Sequence, residues 1–493
     1  MRSEAQSFGS RLASVLAGEL VNKVSVIAAF VWLARTLDPA VYGEIEWALS
    51  LMMVFTLAAD GGLSTWGAAE IAARPGQAPA LIRRIGALRL ALAVPAYLVL
   101  LIVASSYGGR AGLTLAVYGL VLLLTPLFLQ YVFNGLFQSR WAALGNAVRG
   151  VTFAAVVLLF VRDGSPPWIV AAAEVAGAAA LALCSFLLLG RVLGRDAGQD
   201  VGRRVDPANG VTARDLRAIL ARSWTIGATE VTWGVHWYAG LILLGYLATT
   251  TDAAWHSAAL RLVLALHTGV WLYLYVLLPN LARLLSEDVP GWRRTVQQSL
   301  RLTGWAGWAV ALVGTLAADT ILTTVFGPPF AAAIPVLQAA VWVVPVAWMS
   351  GHIRYSLIAA QQPGRDYRAG LIGAGTTVLL SVLLIPALQS TGTGLALLGG
   401  TIANAGAAWA LGRRVLPGFA FGSSVLPSAA CGAACLILGL VLSSMIGEVI
   451  ATAVAAMTLA GVALVLERET AGAILSTLTG SNRLKVGNAD ARS

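Results

Sequence analysis

Apolar stretches of about twenty residues recur along nearly the whole chain, and nothing else constrains its fold as strongly. At about 1.5 Å per residue, each is long enough to cross the roughly 30 Å hydrocarbon core of a bilayer as a helix. In lipid every backbone N–H and C=O must be satisfied internally, so runs of this length read as helices. The short alternating segments of a membrane barrel are missing. Composition agrees, because 58% of the 493 residues are hydrophobic and only 11% are charged. A polytopic all-α membrane protein is the expected class.

The first seven runs fall at about 12–34, 46–66, 86–104, 112–134, 146–162, 168–190 and 224–247. The others fall at about 254–282, 300–326, 331–360, 369–388, 392–412, 424–445 and 447–466, which makes about 14 spans. The connections test this count. One set holds Arg2 and Arg11; Arg74, Arg83, Arg84 and Arg89; Arg140 and Arg149; and Arg191 through Arg222. The same set continues with Arg283, Arg293, Arg294 and Arg301, then Arg365 and Arg368, Arg413 and Arg414, and the tail. The alternate set holds only Arg35, Arg110 and Arg162. A miscounted span would scramble this alternation, so the positive-inside rule places both termini in the cytoplasm. The first run is too long and too charged for a cleaved signal, and reads as a retained span.

The longest polar interruption, 191–222, contains Asp206-Pro207 and reads as a cytoplasmic linker. It separates a six-helix bundle at 1–190 from a second at 223–414, with two added spans at 415–466 and a cytoplasmic tail at 467–493. The second bundle reads as a weak copy of the first. Trp32–Met53 is echoed by Leu244–Leu264, and Asn134–Arg140 by Tyr355–Gln361. Two six-span halves suit a transporter built from internal repeats.

The formal charge of +10 sits almost wholly on loop arginines, without the aromatic-interleaved basic face that would bind nucleic acid. Cys184, Cys431 and Cys435 lie in apolar runs, which argues against disulfides, and no His or carboxylate stands beside the last two to make a metal site. There is no glycine-rich phosphate loop with its lysine and no large external loop. A transporter without cofactor is expected rather than an enzyme, with proton or sodium coupling left open.

Polar residues inside spans are functional candidates by default. The first span carries Glu19, Asn22 and Lys23, with the carboxylate and the ammonium four residues apart on one face. Either the pair neutralises itself, or Lys23 offers a point charge to a phosphate. Arg261, about seven residues into the eighth span, carries five fixed donors suited to bidentate phosphate binding, or snorkels to an interface. Arg35 and His236 complete the substrate-binding candidates; Glu230, Asp60, Glu70 and Arg354 are the candidates for ion coupling or gating.

Several motifs together resemble a known family. They are Ala34-Arg35-Thr36-Leu37-Asp38-Pro39-Ala40-Val41-Tyr42-Gly43, Asp60-Gly61-Gly62-Leu63, Ser257–Leu262, and Phe326-Gly327-Pro328-Pro329-Phe330-Ala331-Ala332-Ala333. In order and spacing the chain is similar to the Wzx-type polysaccharide and O-antigen flippases. These belong to the MOP superfamily, with the lipid II flippases and multidrug extruders. The resemblance implies a V-shaped pair of bundles around a cationic cavity, to which Lys23 and Arg261 would contribute. It also implies a bacterial inner-membrane protein that flips undecaprenyl-pyrophosphate-linked oligosaccharide to the outer leaflet. Membrane lipids, a polysaccharide polymerase and glycosyltransferases would be its partners. One stretch departs from the pattern: Thr250–His256 replaces the family's usual glycine-x-tyrosine turn. The rival readings are an ion-coupled drug exporter, and a membrane glycosyltransferase or polymerase acting on the same lipid.

Overall fold

Two glycines interrupt the second span, and breaks of this kind govern the architecture. In the computed structural model, which describes residues 2–193, 212–416, 418 and 421–468 with side chains from residue 17 onward, every regular element is helical. The expected linker and tail lie largely outside the described residues.

Among the described residues, eleven helices are long and apolar enough to cross a membrane. One of them, Pro363–Gly412, is two spans joined at Gln389, whose φ of 50° and ψ of −130° leave the helical region. Its 50 residues would otherwise run to about 75 Å, far beyond a bilayer. Val289–Leu316 and Ala318–Val325 form a span bent by 75°. Ala213–Leu247 is as long as a span but carries Glu230 and His236. With these three additions the described helices give the expected 14.

Several spans are broken, each for a local reason. Pro39–Asp60 starts on an Asp38 cap with proline in its first turn, and ends at Gly61 and Gly62, with φ of 55° and 76°. Only glycine enters this left-handed region without strain, so the chain can restart as Leu63–Ala73. Gly109–Leu124 stops at a 3-10 turn, Thr125–Leu127, whose Pro126 lacks the N–H needed to continue, and resumes as Gln130–Gly135.

The chain divides into two compact units. The first contains Met1–Ala258, Val325–Ala332 and Thr377–Ala396; the second contains Ala259–Thr324, Ala333–Thr376 and Leu397–Ser493. In the first, Arg2–Thr36 lies along Ser139–Phe160, which the small residues Gly18 and Gly150 bring close to it. Ala213–Leu247 lies on the broken second span: a Cβ at Gly62 would overlap the Gly227 nitrogen, and one at Gly227 would overlap Gly61. Around this break packs a core of Leu63, Ile71, Ile82, Ile85, Val132 and Phe133.

Within the second unit, Phe421–Ile446 packs on Val289–Leu316 through Gly304, which faces Ser428, and Gly432, which faces the Trp308 ring. Glu448 and Glu467 hold the last helix, Glu448–Leu466, at its two ends: Glu448 accepts from the Thr320 N–H at 3.3 Å, and Glu467 from the Trp305 indole at 3.4 Å. Gly432→Ala is expected to cost about 1–3 kcal/mol, because the new methyl would displace Trp308, and to be read as a lowered melting temperature in detergent.

Two echoes noted in the sequence recur as turn geometry. Tyr42 N–H donates to Asp38 C=O at 3.0 Å, and Ala253 N–H to Thr249 C=O at 3.2 Å. Phe137 and Gln361 both take positive φ (57° and 56°), and the next residues donate alike: Gln138 to Phe133 C=O and Gln362 to Leu357 C=O, both at 2.8 Å. These bonds set Phe137 against Gln361, three residues away from the register read in the sequence.

At the start of Ala213–Leu247, Thr212 and Asp215 form a capping box in which Thr212 Oγ1 donates to the carboxylate at 2.7 Å. That hydrogen bond holds the Asp215 carboxyl below its usual range. A lowered folded-state pKa stabilises above the unfolded value and is lost as pH falls through the folded one. Amide protection at 213–216, taken relative to the intrinsic exchange rate at each pH, should therefore fall once pH drops below the ordinary aspartate range, and Asp215→Asn should remove that dependence.

Candidate functional site

The first unit holds a charge cluster, centred on a buried arginine, where its second span breaks. Arg89, within Ala78–Tyr107, is 1% exposed. Its Nη2 donates to Asp60 Oδ1 and to Ser64 Oγ, both at 2.6 Å. Its Nη1 donates to the carbonyls of Phe128 at 2.8 Å and Thr125 at 3.3 Å, at the break in the fourth span. The guanidinium also stands 4.8 Å from the centre of the Tyr131 ring, a cation–π distance. Asp60 Oδ2 accepts the Ser64 N–H at 3.0 Å. Next to it, Thr65 Oγ1 donates to Glu230 Oε1 at 3.0 Å, which ties Ala213–Leu247 to the restarted helix. The structure thus brings two gating candidates, Asp60 and Glu230, to one break, where a third group missed in the sequence holds Asp60.

Counting charges by loop caused that miss. Counted by loop, Arg89 is a cytoplasmic arginine, yet it extends the buried stripe of Ile82, Ile85 and Leu88 at helical spacing, and that stripe is the signal the sequence offers. Arg149 falls in the same loop group. It lies mid-helix in Ser139–Phe160, and its Nε and Nη2 both donate to Glu174 Oε1, the former at 3.1 Å.

In the first span, Glu19 meets neutral partners instead of Lys23. Asn146 Nδ2 donates to Glu19 Oε1 at 2.7 Å, and Gln130 Nε2 donates to Asn146 Oδ1 at 3.3 Å. Asn22 lies against Gly150, where its side-chain oxygen occupies the space a Cβ would need. Lys23 is exposed, and none of the hydrogen bonds or ion pairs among the described residues involves it.

The remaining candidates are dispersed. Arg35 Nε donates to Val325 C=O at 3.0 Å, and His236 Nδ1 meets Thr377 Oγ1 at 2.9 Å, both within the first unit. Glu70 pairs with Arg74 one turn along its own helix at 2.8 Å. In the second unit Arg354 Nε donates to Asp366 at 3.1 Å. Arg261 is half-buried in the second unit. Among the described residues no group of three His, Cys, Asp or Glu could hold a metal.

Two of the resemblance motifs, the one ending in Tyr42-Gly43 and the one containing Phe330, meet within the first unit. A Cβ on Gly43 would overlap the Thr250 carbonyl oxygen, and Tyr42 stands edge-on to Phe330 with ring centres 5.5 Å apart. The aberrant Thr250–His256 stretch forms a capping box, in which Thr249 Oγ1 donates to Asp252 at 2.5 Å and accepts its N–H at 3.1 Å.

Residues 12–285, more than half of the chain, match the sequence profile described as polysaccharide biosynthesis protein. The chain belongs to the polysaccharide biosynthesis protein family. No curated protein matches this family member in sequence. Its fold is similar to that of the lipid II flippase MurJ in an inward closed conformation, with a TM-score of 0.72 at 11% identity over 92% of this chain and 99% of that one. It is also similar to an inward-facing multidrug resistance MATE transporter of the MOP superfamily, at 0.61 and 12% identity over 80% and 94%. A MOP superfamily transporter from Pyrococcus furiosus superposes at 0.57 and 14% identity over 86% and 95%. At these identities the likeness establishes the fold, and this polysaccharide biosynthesis protein has the multi-pass helical MOP fold.

Proposed function

We propose that the protein flips undecaprenyl-pyrophosphate-linked oligosaccharide from the cytoplasmic to the outer leaflet of the bacterial inner membrane by alternating access, with both termini in the cytoplasm. The observation that carries the reading is the polysaccharide biosynthesis match, on a chain whose helices are long enough to span a bilayer. A surface-polysaccharide pathway that builds on a lipid carrier inside the cell needs a membrane protein to move the headgroup out. The MurJ fold is of the right kind for that task.

Lys23 is the phosphate contact proposed in the first unit. With Glu19 engaged by Asn146, its ammonium is left to pair with an anion, the arrangement in which a charge-assisted bond is strongest. Arg261 is the corresponding proposal for the second unit, and Asn22, Arg35 and His236 are expected to shape the polar surroundings. Glu230, Asp60, Glu70 and Arg354 are proposed for coupling or gating, with a proton or sodium ion as the coupling ion. With the inside negative, outward movement of an anionic headgroup is assisted by about 2.3 kcal/mol per charge per 100 mV.

The test is reconstitution with a fluorescent lipid-linked oligosaccharide, followed by the rate at which headgroups reach a membrane-impermeant reagent. Wild type should accelerate that exposure, and Lys23→Ala should slow it by about tenfold or more while the protein stays monodisperse, since a lost charge-assisted bond costs about 1.5–3 kcal/mol. Equal rates with empty liposomes would overturn the function; equal rates for Lys23→Ala and wild type would overturn the assignment of Lys23.

A further inference from the structure

Transporters with interrupted helices commonly place a bound cation where unwound backbone exposes its carbonyls. In the first unit that position is filled by a side chain. The Arg89 guanidinium lies between two breaks and touches oxygens on both: Asp60 Oδ1 and Ser64 Oγ at the Gly61-Gly62 break, and the Thr125 and Phe128 carbonyls at the Pro126 break. All of these atoms belong to the first unit, and Arg89 is 1% exposed. The two carbonyls belong to residues that follow the C-terminal end of Gly109–Leu124, the negative end of a helix dipole. Asp60 is likewise the last residue of Pro39–Asp60. One fixed positive charge therefore satisfies the ends of two interrupted helices and a half-buried carboxylate together.

We infer that Arg89 is a tethered cation, a positioning residue that stands in for a bound metal ion and makes the two breaks move as one unit during translocation. Its planar fork is suited to this work. One nitrogen serves the carboxylate side and another the carbonyl side, whereas a lysine ammonium acts as a single point charge. The consequence for transport rests on the flippase reading above; the tether itself does not.

The experiment uses the full chain in detergent and reads hydrogen exchange at 57–66 and 122–133, with flipping measured in parallel. Arg89→Ala should raise exchange in both segments by about tenfold or more, because each loses a charge-assisted bond. Guanidinium chloride at about 20 mM should restore protection in both by binding the vacated site, and the same concentration of urea should not. Arg89→Lys should protect 57–66 better than 122–133. Flipping should fall with Arg89→Ala and recover with guanidinium. Exchange that rises in one segment only, or that guanidinium leaves unchanged, overturns the tether. If Arg89→Ala does not fold, Asp60→Asn gives the answer: it should loosen 57–66 and leave 122–133 protected, and unchanged exchange at 57–66 overturns the proposal. If wild type fails to flip, the function falls while the exchange arms still decide the tether.

Discussion

Gly43→Ala is expected to leave little folded protein. The position lies inside Pro39–Asp60, where alanine would normally be preferred to glycine by about 1 kcal/mol. Here the added methyl would occupy the space of the Thr250 carbonyl oxygen and come within 3.1 Å of the Ala254 nitrogen. Both are backbone atoms at the start of Thr250–Glu287, so no side chain can rotate out of the way. Overpacking usually costs about 1–3 kcal/mol when side chains can adjust, and more when a helix must shift. The shift would also pull Tyr42 from the edge of Phe330 and strain the Thr249–Asp252 capping box. Gly269→Ala is the control, because a Cβ there meets open space within a helix. It should be neutral or slightly stabilising. The fraction eluting as a monodisperse peak and the melting temperature in detergent decide the matter. A Gly43→Ala protein indistinguishable from Gly269→Ala would mean that the turn is not packed as described.

That glycine shows what could be read from the sequence and what could not. Apolar run length and the alternation of loop arginines are properties of one segment at a time, and they located the spans to within several residues. Motifs such as Tyr42-Gly43 and Asp60-Gly61-Gly62 could be picked out, but their partners are far along the chain. Gly43 answers to Thr250, and Gly62 to Gly227. The polar residues were harder for the same reason. Glu19 and Lys23 are one turn apart and looked like a pair, yet Asn146, 127 residues away, offers the carboxylate a donor. Arg89 and Arg149 sit near the ends of apolar runs, so counting by loop moved them out of the membrane. Only packing shows that each has a buried or half-buried carboxylate waiting. The echo of Asn134–Arg140 by Tyr355–Gln361 could be noticed, but its register could not. Phe137 and Gln361 share a backbone conformation and a hydrogen-bond pattern without sharing a residue type.

Arg89→Met is expected to destabilise the first unit by about 3–5 kcal/mol, since removing one partner of a buried pair strands the other. The stranded group is Asp60, whose side chain is only 16% exposed. Ser64 would still donate to it through backbone N–H and hydroxyl, which limits the damage without neutralising the charge. Asp60→Leu should cost a comparable amount by leaving the guanidinium buried among neutral oxygens. The double variant Arg89→Met/Asp60→Leu removes both charges and should cost less than the sum, with a coupling of about 0.5–3 kcal/mol. It should not return to wild type. The Thr125 and Phe128 carbonyls lose the donor they share, and each buried group left unsatisfied costs about 1–3 kcal/mol. Denaturant titration of the four proteins in one detergent gives the cycle, and the residual cost of the double variant measures the hold of Arg89 on the Pro126 break. Strict additivity would mean that Arg89 and Asp60 do not stabilise one another, and that the guanidinium serves the fourth span alone.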